Sequence, residues 1–176
     1  MTDIGTPIDF KGWIDAHRDQ LKPPVGNQEL WPGREFTVMV VGGPNARTDY
    51  HINEGEEFFY QVEGDIVLRT LDDAGNRRDL AVRQGEVYLL PPRVPHSPQR
   101  PAGSVGLVIE RQRRPGERDG FVWLCDGCGA KLHEEFIQLQ DIVVDLPLVF
   151  ERFFGDSSRT TCRSCGVTHA RAAAGR

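Results

Sequence analysis

The spacing of apolar residues changes along this chain, and each pattern predicts a different kind of element. Between residues 9 and 21, helical spacing follows an aspartate that can cap a first turn, and it is carried by Phe10, Trp13, Ile14, His17 and Leu21. From Glu35 to about Arg113 the chain instead shows short β-rich runs separated by turn residues. Closely spaced antiparallel strands of this kind are typical of a sandwich or a small barrel.

The pattern beyond this region is set by charge, proline and cysteine. Residues 113–120 contain one proline, two glycines and five charged residues, which predicts a linker or an exposed turn. Two cysteine pairs follow, and between them a short helix is predicted from Leu146 to Phe154, opening at Pro147. The final residues, ARAAAGR, are expected to be frayed. We expect three parts, namely an N-terminal helix and loop packed on a barrel (1–34), the barrel (35–113) and a C-terminal extension (114–176).

Length and charge limit the class of protein. A chain of 176 residues can form one medium domain, or one domain with a small appendage. The net charge of −5 argues against general attraction to nucleic acid or to an anionic membrane. No apolar run approaches about 18 residues and no secretory signal is recognised, so the cytoplasm is the expected location. Four cysteines in that reducing compartment are expected to hold a metal or to stay as thiols rather than to form disulfides.

Two histidines and one glutamate recur at an informative spacing. Residues 51–64 read HINEGEEFFYQVEG, and residues 85–100 read GEVYLLPPRVPHSPQR. Their order resembles the two motifs of the cupin superfamily and aligns the metal-ligand positions with His51, Glu57 and His96. The resemblance implies a mainly β cupin fold, a double-stranded β-helix or jelly-roll barrel. Taken singly, each residue could instead be an ordinary loop-end histidine or strand-edge carboxylate.

The chain departs from the cupin motifs at three positions: Asn53 replaces the second histidine, Arg93 a glycine and Arg100 the last asparagine. Without the second imidazole, the ligands form a two-histidine, one-carboxylate set and leave up to three coordination positions open. Facial triads of this type suit Fe(II), which can then take a bidentate substrate together with O2. A hydrolytic zinc site is the less favoured interpretation.

Local cations supply what the overall charge lacks. Arg47 lies four residues before His51, and Arg100 lies four residues after His96, so each pair faces the same way if the segments are extended. Arginine grips a carboxylate in a bidentate fork, which favours an anionic organic substrate, although both could be solvated surface charges. Glu110 lies within an apolar run, so it either points into a polar barrel interior or marks the wet face of its strand.

The segments VGGPNARTDYH, EEFFYQ, LLPP, HSPQRP, VIERQR and LKPPVGN, with two C-terminal cysteine pairs, resemble the 3-hydroxyanthranilate 3,4-dioxygenase family over nearly the whole chain. The resemblance implies a non-haem Fe(II) enzyme that opens the ring of 3-hydroxyanthranilate with O2. Its product would be 2-amino-3-carboxymuconate semialdehyde, the precursor of quinolinate in tryptophan catabolism and NAD synthesis. The implied iron ligands are His51, Glu57 and His96, and the implied substrate contacts are Arg47, Arg100 and Glu110, with Asn27 nearby on an active-site loop.

Within this family reading, Arg47 and Arg100 would orient the substrate carboxylate and the oxygen, without a clear division between them. Glu110 would take part in the transfer of the hydroxyl or amine proton as the substrate binds. Because cupins commonly dimerise, a homodimer is expected.

The two cysteine pairs predict a second metal site. They occur as CDGCG and CRSCG, and the candidate ligands are Cys125, Cys128, Cys162 and Cys165. Two residues between cysteines allow a tight turn to present both sulfurs to one ion, and the glycine that follows tolerates the conformation of that turn. Four sulfurs accept zinc or iron, and the family resemblance favours iron. With all four positions filled, a structural or dimer-interface role is expected, while His133 and His169 are expected at the surface.

Two other classes of function remain open at this stage. The chain could be another iron cupin dioxygenase, acting on a related aromatic acid or on a thiol. It could also be a non-catalytic cupin that senses a small carboxylate and uses a zinc ribbon to contact a macromolecule, although the charge balance argues against nucleic acid.

Overall fold

The structure, a computed structural model, describes residues 5–22, 26–45, 47–140 and 142–171. Within these ranges the chain forms three helices and eleven strands. In chain order they are α1 (Phe10–His17), β1 (Asn27–Glu29), β2 (Phe36–Gly42), β3 (Asp49–Ile52), β4 (Glu57–Glu63), β5 (Ile66–Leu71), β6 (Arg77–Val82), β7 (Val87–Leu90), β8 (His96–Gln99), β9 (Val105–Arg111), β10 (Asp119–Leu124), β11 (Lys131–Ile137), α2 (Ile142–Phe154) and α3 (Ser157–Thr160).

The strands form two antiparallel sheets with the orders β1-β2-β9-β4-β7 and β11-β10-β3-β8-β5-β6. Strand β2 pairs with β9, β3 with β8, β4 with β7 and β5 with β6, and these four pairs alternate between the two sheets. A two-stranded ribbon wound in this way is a double-stranded β-helix, the jelly roll of cupins. The predicted mainly β, cupin-type barrel with short flanking helices is therefore confirmed.

Alternation along the strands sorts the side chains between the barrel interior and its outside. On β4, Glu57, Phe59 and Gln61 are buried while the residues between them are half-buried. The apolar part of the interior joins side chains of both sheets: Met39, Phe59, Ile66, Leu68, Val82, Leu90 and Val108. Because Phe59 of β4 is part of this core, Glu57, which lies on the same face of the strand, also points into the barrel.

Helix α1 packs on the outside of the first sheet. The carboxylate of Asp9 accepts a hydrogen bond from the backbone N–H of Gly12 at 3.1 Å, which is the predicted N-cap. Ile14 is buried against Val40 of β2 and Val105 of β9. The predicted helix is confirmed, but it ends at His17, and the following residues form a turn.

The second sheet extends beyond residue 113. The segment 113–120 makes a turn that leads into β10, where Asp119 and Gly120 are already buried. Strand β10 pairs with β3 on one side and with β11 on the other. The division of the chain into three parts stays a prediction, and the expected fraying of the final residues lies largely outside the described residues.

Helix α2 differs from the prediction. It begins at Ile142, so the prediction that it opens at Pro147 is wrong, and the proline lies inside the helix. Proline there removes one backbone hydrogen bond. Val149 and Phe153 offset this loss because both are fully buried in a cluster with Trp123 of β10. Among the described residues, no helix has the length and apolar character needed to cross a membrane.

Candidate active site and metal centres

Three strands bring the predicted catalytic ligands together inside the barrel. His51 on β3 lies directly opposite His96 on β8, and Glu57 begins β4. All three side chains are buried. One donor atom from each lies within 4.8 Å of the donor atoms of the other two. The spacing in sequence therefore corresponds to one compact cluster in space.

The donor atoms of this cluster fit a divalent metal ion. His96 Nδ1 lies 3.0 Å from the carbonyl oxygen of Val94 and donates to it, so the lone pair is on Nε2. That Nε2 lies 3.0 Å from Glu57 Oε2, a buried oxygen without a hydrogen-bond partner in the part of the chain described. Two lone pairs at this distance repel each other unless a proton on Nε2 or a metal ion lies between them. A shared metal ion satisfies both.

Asp119 fixes the orientation of the imidazole ring of His51 through a hydrogen bond. His51 Nε2 donates to Asp119 Oδ2 at 2.6 Å, which leaves Nδ1 as the ring nitrogen with a lone pair for a metal. The ring also stacks on Phe121, with centroids 5.2 Å apart. Carboxylates that accept from the second nitrogen of a ligating histidine fix its tautomer and orientation. Both contacts come from β10.

Burial and neighbouring charges act differently on the three ligands. Burial would lower the pKa of His96, but Glu57 raises it above its usual value. Burial would raise the pKa of Glu57, but its contact with His96 holds it at about 2, with smaller contributions from His51 and Arg47. Burial lowers the pKa of His51, against the opposing hydrogen bond to Asp119. Near neutral pH, Glu57 is therefore a carboxylate and His51 a neutral imidazole, as metal ligation requires.

The two predicted substrate-binding arginines have different partners. Arg47 is held by Asp49, whose carboxylate is fully buried and accepts from two guanidinium nitrogens, with Nε–Oδ1 at 3.1 Å. Arg100 is 4% exposed and, among the described residues, its guanidinium donates only to the amide oxygen of Gln61, at 3.4 Å. Burial lowers the pKa of Arg100 to about 10, while the negative charge of Glu57 opposes the shift. Arg100 is thus a buried cation that lacks a carboxylate partner in the described part of the chain.

The guanidinium of Arg100 lies against the backbone of β9. A Cβ atom added at Gly106 would lie 2.7 Å from Arg100 Nη1 and 3.0 Å from Gln61 Oε1. Glycine at this position gives the room that both side chains occupy.

Glu110 points into the barrel interior, which settles the alternatives left open by its strand pattern. It is 4% exposed, lies opposite Glu57 in the β4–β9 register, and accepts from Asn53 Nδ2 at 2.9 Å and from Arg113 Nη1 at 2.6 Å. Burial raises the pKa of Glu110 to about 7, and the charge of Glu57 adds to the shift while Arg113 opposes it. Near neutral pH this carboxyl can both accept and release a proton.

A cavity of about 850 Å³ reaches the site at Glu110. Asn27 and Met39 line it together with Arg113 and Leu139. Asn27, which the sequence places on a loop, instead begins strand β1. The cavity has room for a small aromatic acid beside Glu110. Its lining residues do not include the triad ligands or the two arginines, His51, Glu57, His96, Arg47 and Arg100.

Three partners of these residues were not identified from the sequence: Asp49, Arg113 and Asp119. Asp49 could have been found, because in an extended segment every second side chain points the same way, which places Asp49 between Arg47 and His51 on one face. Asp119 lies 68 residues from His51, and no local pattern links the two.

The four cysteines form the second cluster. Cys125 Sγ lies 3.5 Å from Cys165 Sγ, and Cys128 Sγ lies 3.6 Å from Cys162 Sγ. A tetrahedral ion with sulfur ligands at about 2.3 Å separates them by roughly 3.8 Å, so the spacing fits one ion. In each CxxCG turn the glycine has a positive φ, 74° at Gly129 and 77° at Gly166, and its N–H bonds the carbonyl of the first cysteine. The turn chemistry predicted from the sequence is confirmed.

The remaining C-terminal histidines lie beside the clusters. His133 stacks on Trp123 with centroids 5.9 Å apart, and His169 Nδ1 lies 3.3 Å from Asp126 Oδ2. Both are half-buried, so their predicted surface location holds only in part. Neither belongs to the metal-ligand clusters found among the described residues.

A jelly-roll barrel with a buried two-histidine, one-carboxylate cluster and a separate four-cysteine cluster defines a cupin with two candidate metal sites. The family model described as 3-hydroxyanthranilic acid dioxygenase matches residues 1–154, and the chain belongs to this family.

Two relatives of this chain have names that agree with that membership. The chain is 54% identical over 163 residues to 3-hydroxyanthranilate 3,4-dioxygenase of Xanthomonas euvesicatoria pv. vesicatoria, covering 93% of this chain and 92% of the relative. It is 51% identical over 170 residues to the protein of the same name from Burkholderia cenocepacia, with 96% of each chain covered. Among solved structures, it is similar to a cupin-2 domain containing protein from Shewanella frigidimarina, with a TM-score of 0.45, 17% identity, and coverage of 60% of this chain and 94% of that one.

Proposed function

We propose that the protein is an Fe(II) dioxygenase that opens the ring of 3-hydroxyanthranilate. Both atoms of O2 would enter the product, 2-amino-3-carboxymuconate semialdehyde. The observation that carries the proposal is the buried cluster of His51, Glu57 and His96, with its unpartnered carboxylate oxygen, in a chain of this family. Bound Fe(II) would supply adjacent open positions for the substrate hydroxyl and amine and for O2.

Arg100 binds the substrate carboxylate in this proposal. It is buried and close enough to Glu57 for their charges to interact, and a carboxylate would supply the anionic partner that the described residues do not. Arg47 already has the carboxylate of Asp49 as its partner, so its role is to face the reacting oxygen from a fixed position.

Glu110 accepts the proton that the substrate hydroxyl or amine loses on binding. Its position opposite Glu57 and its pKa of about 7 suit a group that must take up a proton and return it. Asn27, on the wall of the same cavity, lies beside the route by which substrate enters.

The four-cysteine cluster holds an iron or zinc ion with a structural role, because four sulfur ligands leave no position for substrate. A homodimer is the proposed assembly. An apolar strip on the outside of the first sheet supports it, and Val38, Phe58, Val87, Leu89 and Ile109 form this strip, with Val87 and Leu89 61% and 52% exposed. Light scattering at several protein concentrations measures the assembly directly.

Oxygen uptake tests the proposed activity. The protein, loaded anaerobically with Fe(II), is compared on 3-hydroxyanthranilate, gentisate, catechol and cysteine, with the zinc-loaded protein as control. We expect one O2 consumed per 3-hydroxyanthranilate and a product heavier by one O2, with little turnover of the others. Faster uptake with gentisate, catechol or cysteine would indicate another iron cupin dioxygenase. Tight binding of aromatic acids without uptake would indicate a sensor.

A further inference from the structure

Five polar side chains form a continuous network behind the triad. Asn53 Nδ2 donates to Glu110 Oε2 at 2.9 Å, and Arg113 Nη1 donates to Glu110 Oε1 at 2.6 Å. The other side of the same guanidinium donates to Asp119, from Nε at 3.0 Å and from Nη2 at 2.7 Å. Asp119 in turn accepts from His51 at 2.6 Å. Among the described residues, Arg113 is the one side chain that bonds both carboxylates.

We propose that Arg113 is a positioning residue that holds the proton-accepting Glu110 and the His51 partner Asp119 as one rigid unit. Its action on Glu110 rests on the proposed function, whereas its action on His51 rests only on the triad binding a metal. Arg113 would therefore set two properties together: the geometry of a metal ligand and the position of the group that receives the substrate proton.

The shape of the guanidinium suits this task. It is planar and offers donors on two edges in a fixed fork, so bonds made by Nη1 and by the Nε–Nη2 edge lock the relative positions of their acceptors. A lysine ammonium is a point charge and cannot impose that geometry. The side chain of Arg113 is 16% exposed and lines the cavity at Glu110, so it lies between substrate space and the protein interior.

Charge makes the bridge necessary. Glu110 and Asp119 are 4% and 1% exposed, and Glu57 lies close enough to act on Glu110 by its charge. Removing one partner of a buried ion pair leaves an uncompensated charge, which is strongly unfavourable. Without Arg113, the two carboxylates would move apart or turn toward other donors, and the ring of His51 would lose its fixed orientation.

Asn53 completes the unit from the other side. It occupies the motif position at which other cupins have a second histidine ligand, yet its amide nitrogen bonds Glu110. Its amide oxygen accepts from the backbone N–H of Gly55, which fixes the orientation of the amide. The change from histidine to asparagine thus gives the chain an anchor for Glu110.

The test compares Arg113→Met and Arg113→Lys with Arg111→Met as the matched control. Arg111 lies two residues away and forms a fork with Glu117, but it bonds neither Glu110 nor Asp119. The affinity of the triad for Co(II) is measured by absorption titration, since thiolate charge-transfer bands mark cobalt at the cysteines. KM and kcat for 3-hydroxyanthranilate are measured on the iron-loaded proteins.

We expect Arg113→Met to weaken metal binding at the triad by about 10- to 100-fold, the usual effect of losing a partner of a ligand. Arg113→Lys should recover only part of this loss, and Arg111→Met should stay within about twofold of the unmodified protein. In an Asp119→Asn background, Arg113→Met should not weaken metal binding further, because its effect on the metal passes through Asp119. In a Glu110→Gln background, it should no longer change the KM for substrate.

Normal metal affinity and KM in the folded fraction of Arg113→Met, with only its melting temperature lowered, would overturn the proposal. If Arg113→Met does not fold, Arg113→Lys decides in the same way, and full recovery of both properties would also overturn it. If the unmodified protein binds Co(II) at the triad but does not turn over 3-hydroxyanthranilate, the proposed function fails, and the affinity measurements still test the role of Arg113.

Discussion

At the scale of single residues, the site depends on side chains whose charge is not neutralised locally. Glu57 keeps a buried oxygen without a hydrogen-bond donor, and Arg100 keeps a buried guanidinium without a carboxylate in the described part of the chain. Buried polar groups normally find partners, since an unpaired one costs free energy. Arg69 Nε and Trp123 Nε1 are also buried without a hydrogen-bond partner among the described residues, but neither lies in the triad. We propose that Glu57 and Arg100 mark where a cation and an anion bind, and each leads to a prediction.

Glu57→Gln should remove metal from the triad. The substitution keeps the size of the side chain but replaces the anionic ligand by a neutral amide, so affinity should fall on the order of 100-fold or more. Metal analysis after dialysis measures the effect, with the ion at the cysteines as an internal reference. Glu56→Gln is the matched control, because Glu56 is the exposed neighbour. Full metal content at the triad of Glu57→Gln, with normal turnover, would contradict the ligand assignment.

Arg100→Lys should raise the KM for 3-hydroxyanthranilate by roughly 10- to 100-fold, because a charge-assisted bidentate pair contributes about 1.5–3 kcal/mol. The KM for 2-aminophenol, which has no carboxylate, should change little. Arg47→Lys should show a smaller difference between the two substrates, since Asp49 is already its partner. Equal losses on both substrates in both variants would show that neither arginine binds the carboxylate.

At the scale of elements, strand β10 connects the two candidate metal sites. Asp119 at its start holds His51, Phe121 stacks on the same ring, and Cys125 follows directly after its end. Helix α2 packs against β10, and its Phe153 stacks on Trp123 of that strand with centroids 4.3 Å apart. The position of β10, and with it the orientation of His51, depends on how well α2 packs.

Phe153→Ala should destabilise the fold by about 3–5 kcal/mol, the usual loss for a fully buried phenylalanine. Urea unfolding followed by tryptophan fluorescence measures the change in the free energy of unfolding. Leu148→Ala on the same helix is the control, because Leu148 is 47% exposed and should change stability by less than about 0.5 kcal/mol. Similar losses in both variants would mean that Phe153 does not anchor the helix.

The elements also show what sequence reasoning can reach. Short β-rich runs predicted the barrel, the resemblance to the two cupin motifs predicted the cluster of His51, Glu57 and His96, and the CxxCG pattern predicted the cysteine turns. Each of these signals can be recognised in short segments of the sequence. The predicted start of α2 was wrong, because the tertiary packing of Val149 and Phe153 outweighs the preference of Pro147 for the first turn of a helix. Arg113 and Asp119 lie in the segment predicted to be a linker or an exposed turn, because their roles depend on contacts that only the fold creates: Asp119 with His51, and Arg113 with Asp119 and Glu110.

At the scale of the whole molecule, the two candidate metal clusters lie in different parts of the fold, and we propose that they have different roles. The triad lies inside the barrel next to the cavity at Glu110, while the cysteines join the turn after β10 to a turn after α3. Four sulfurs fill a tetrahedral ion, whereas two histidines and one carboxylate leave up to three positions open. Chemistry should therefore need only the triad, and the cysteine-bound ion should stabilise the C-terminal region.

Cys162→Ser tests this division. We expect loss of the cysteine-bound ion and a lower melting temperature, because metal binding at such turns is coupled to local folding. Ser164→Ala, an exposed residue in the same turn, should change neither property. Turnover is then measured in single-turnover experiments on folded Cys162→Ser whose triad is fully loaded with iron. It should stay within about tenfold of the unmodified protein, since tenfold corresponds to only about 1.4 kcal/mol in the barrier. A loss of several orders of magnitude would mean that the cysteine-bound ion takes part in the reaction, for example by transferring electrons, because a purely structural ion cannot act on the barrier at an intact triad.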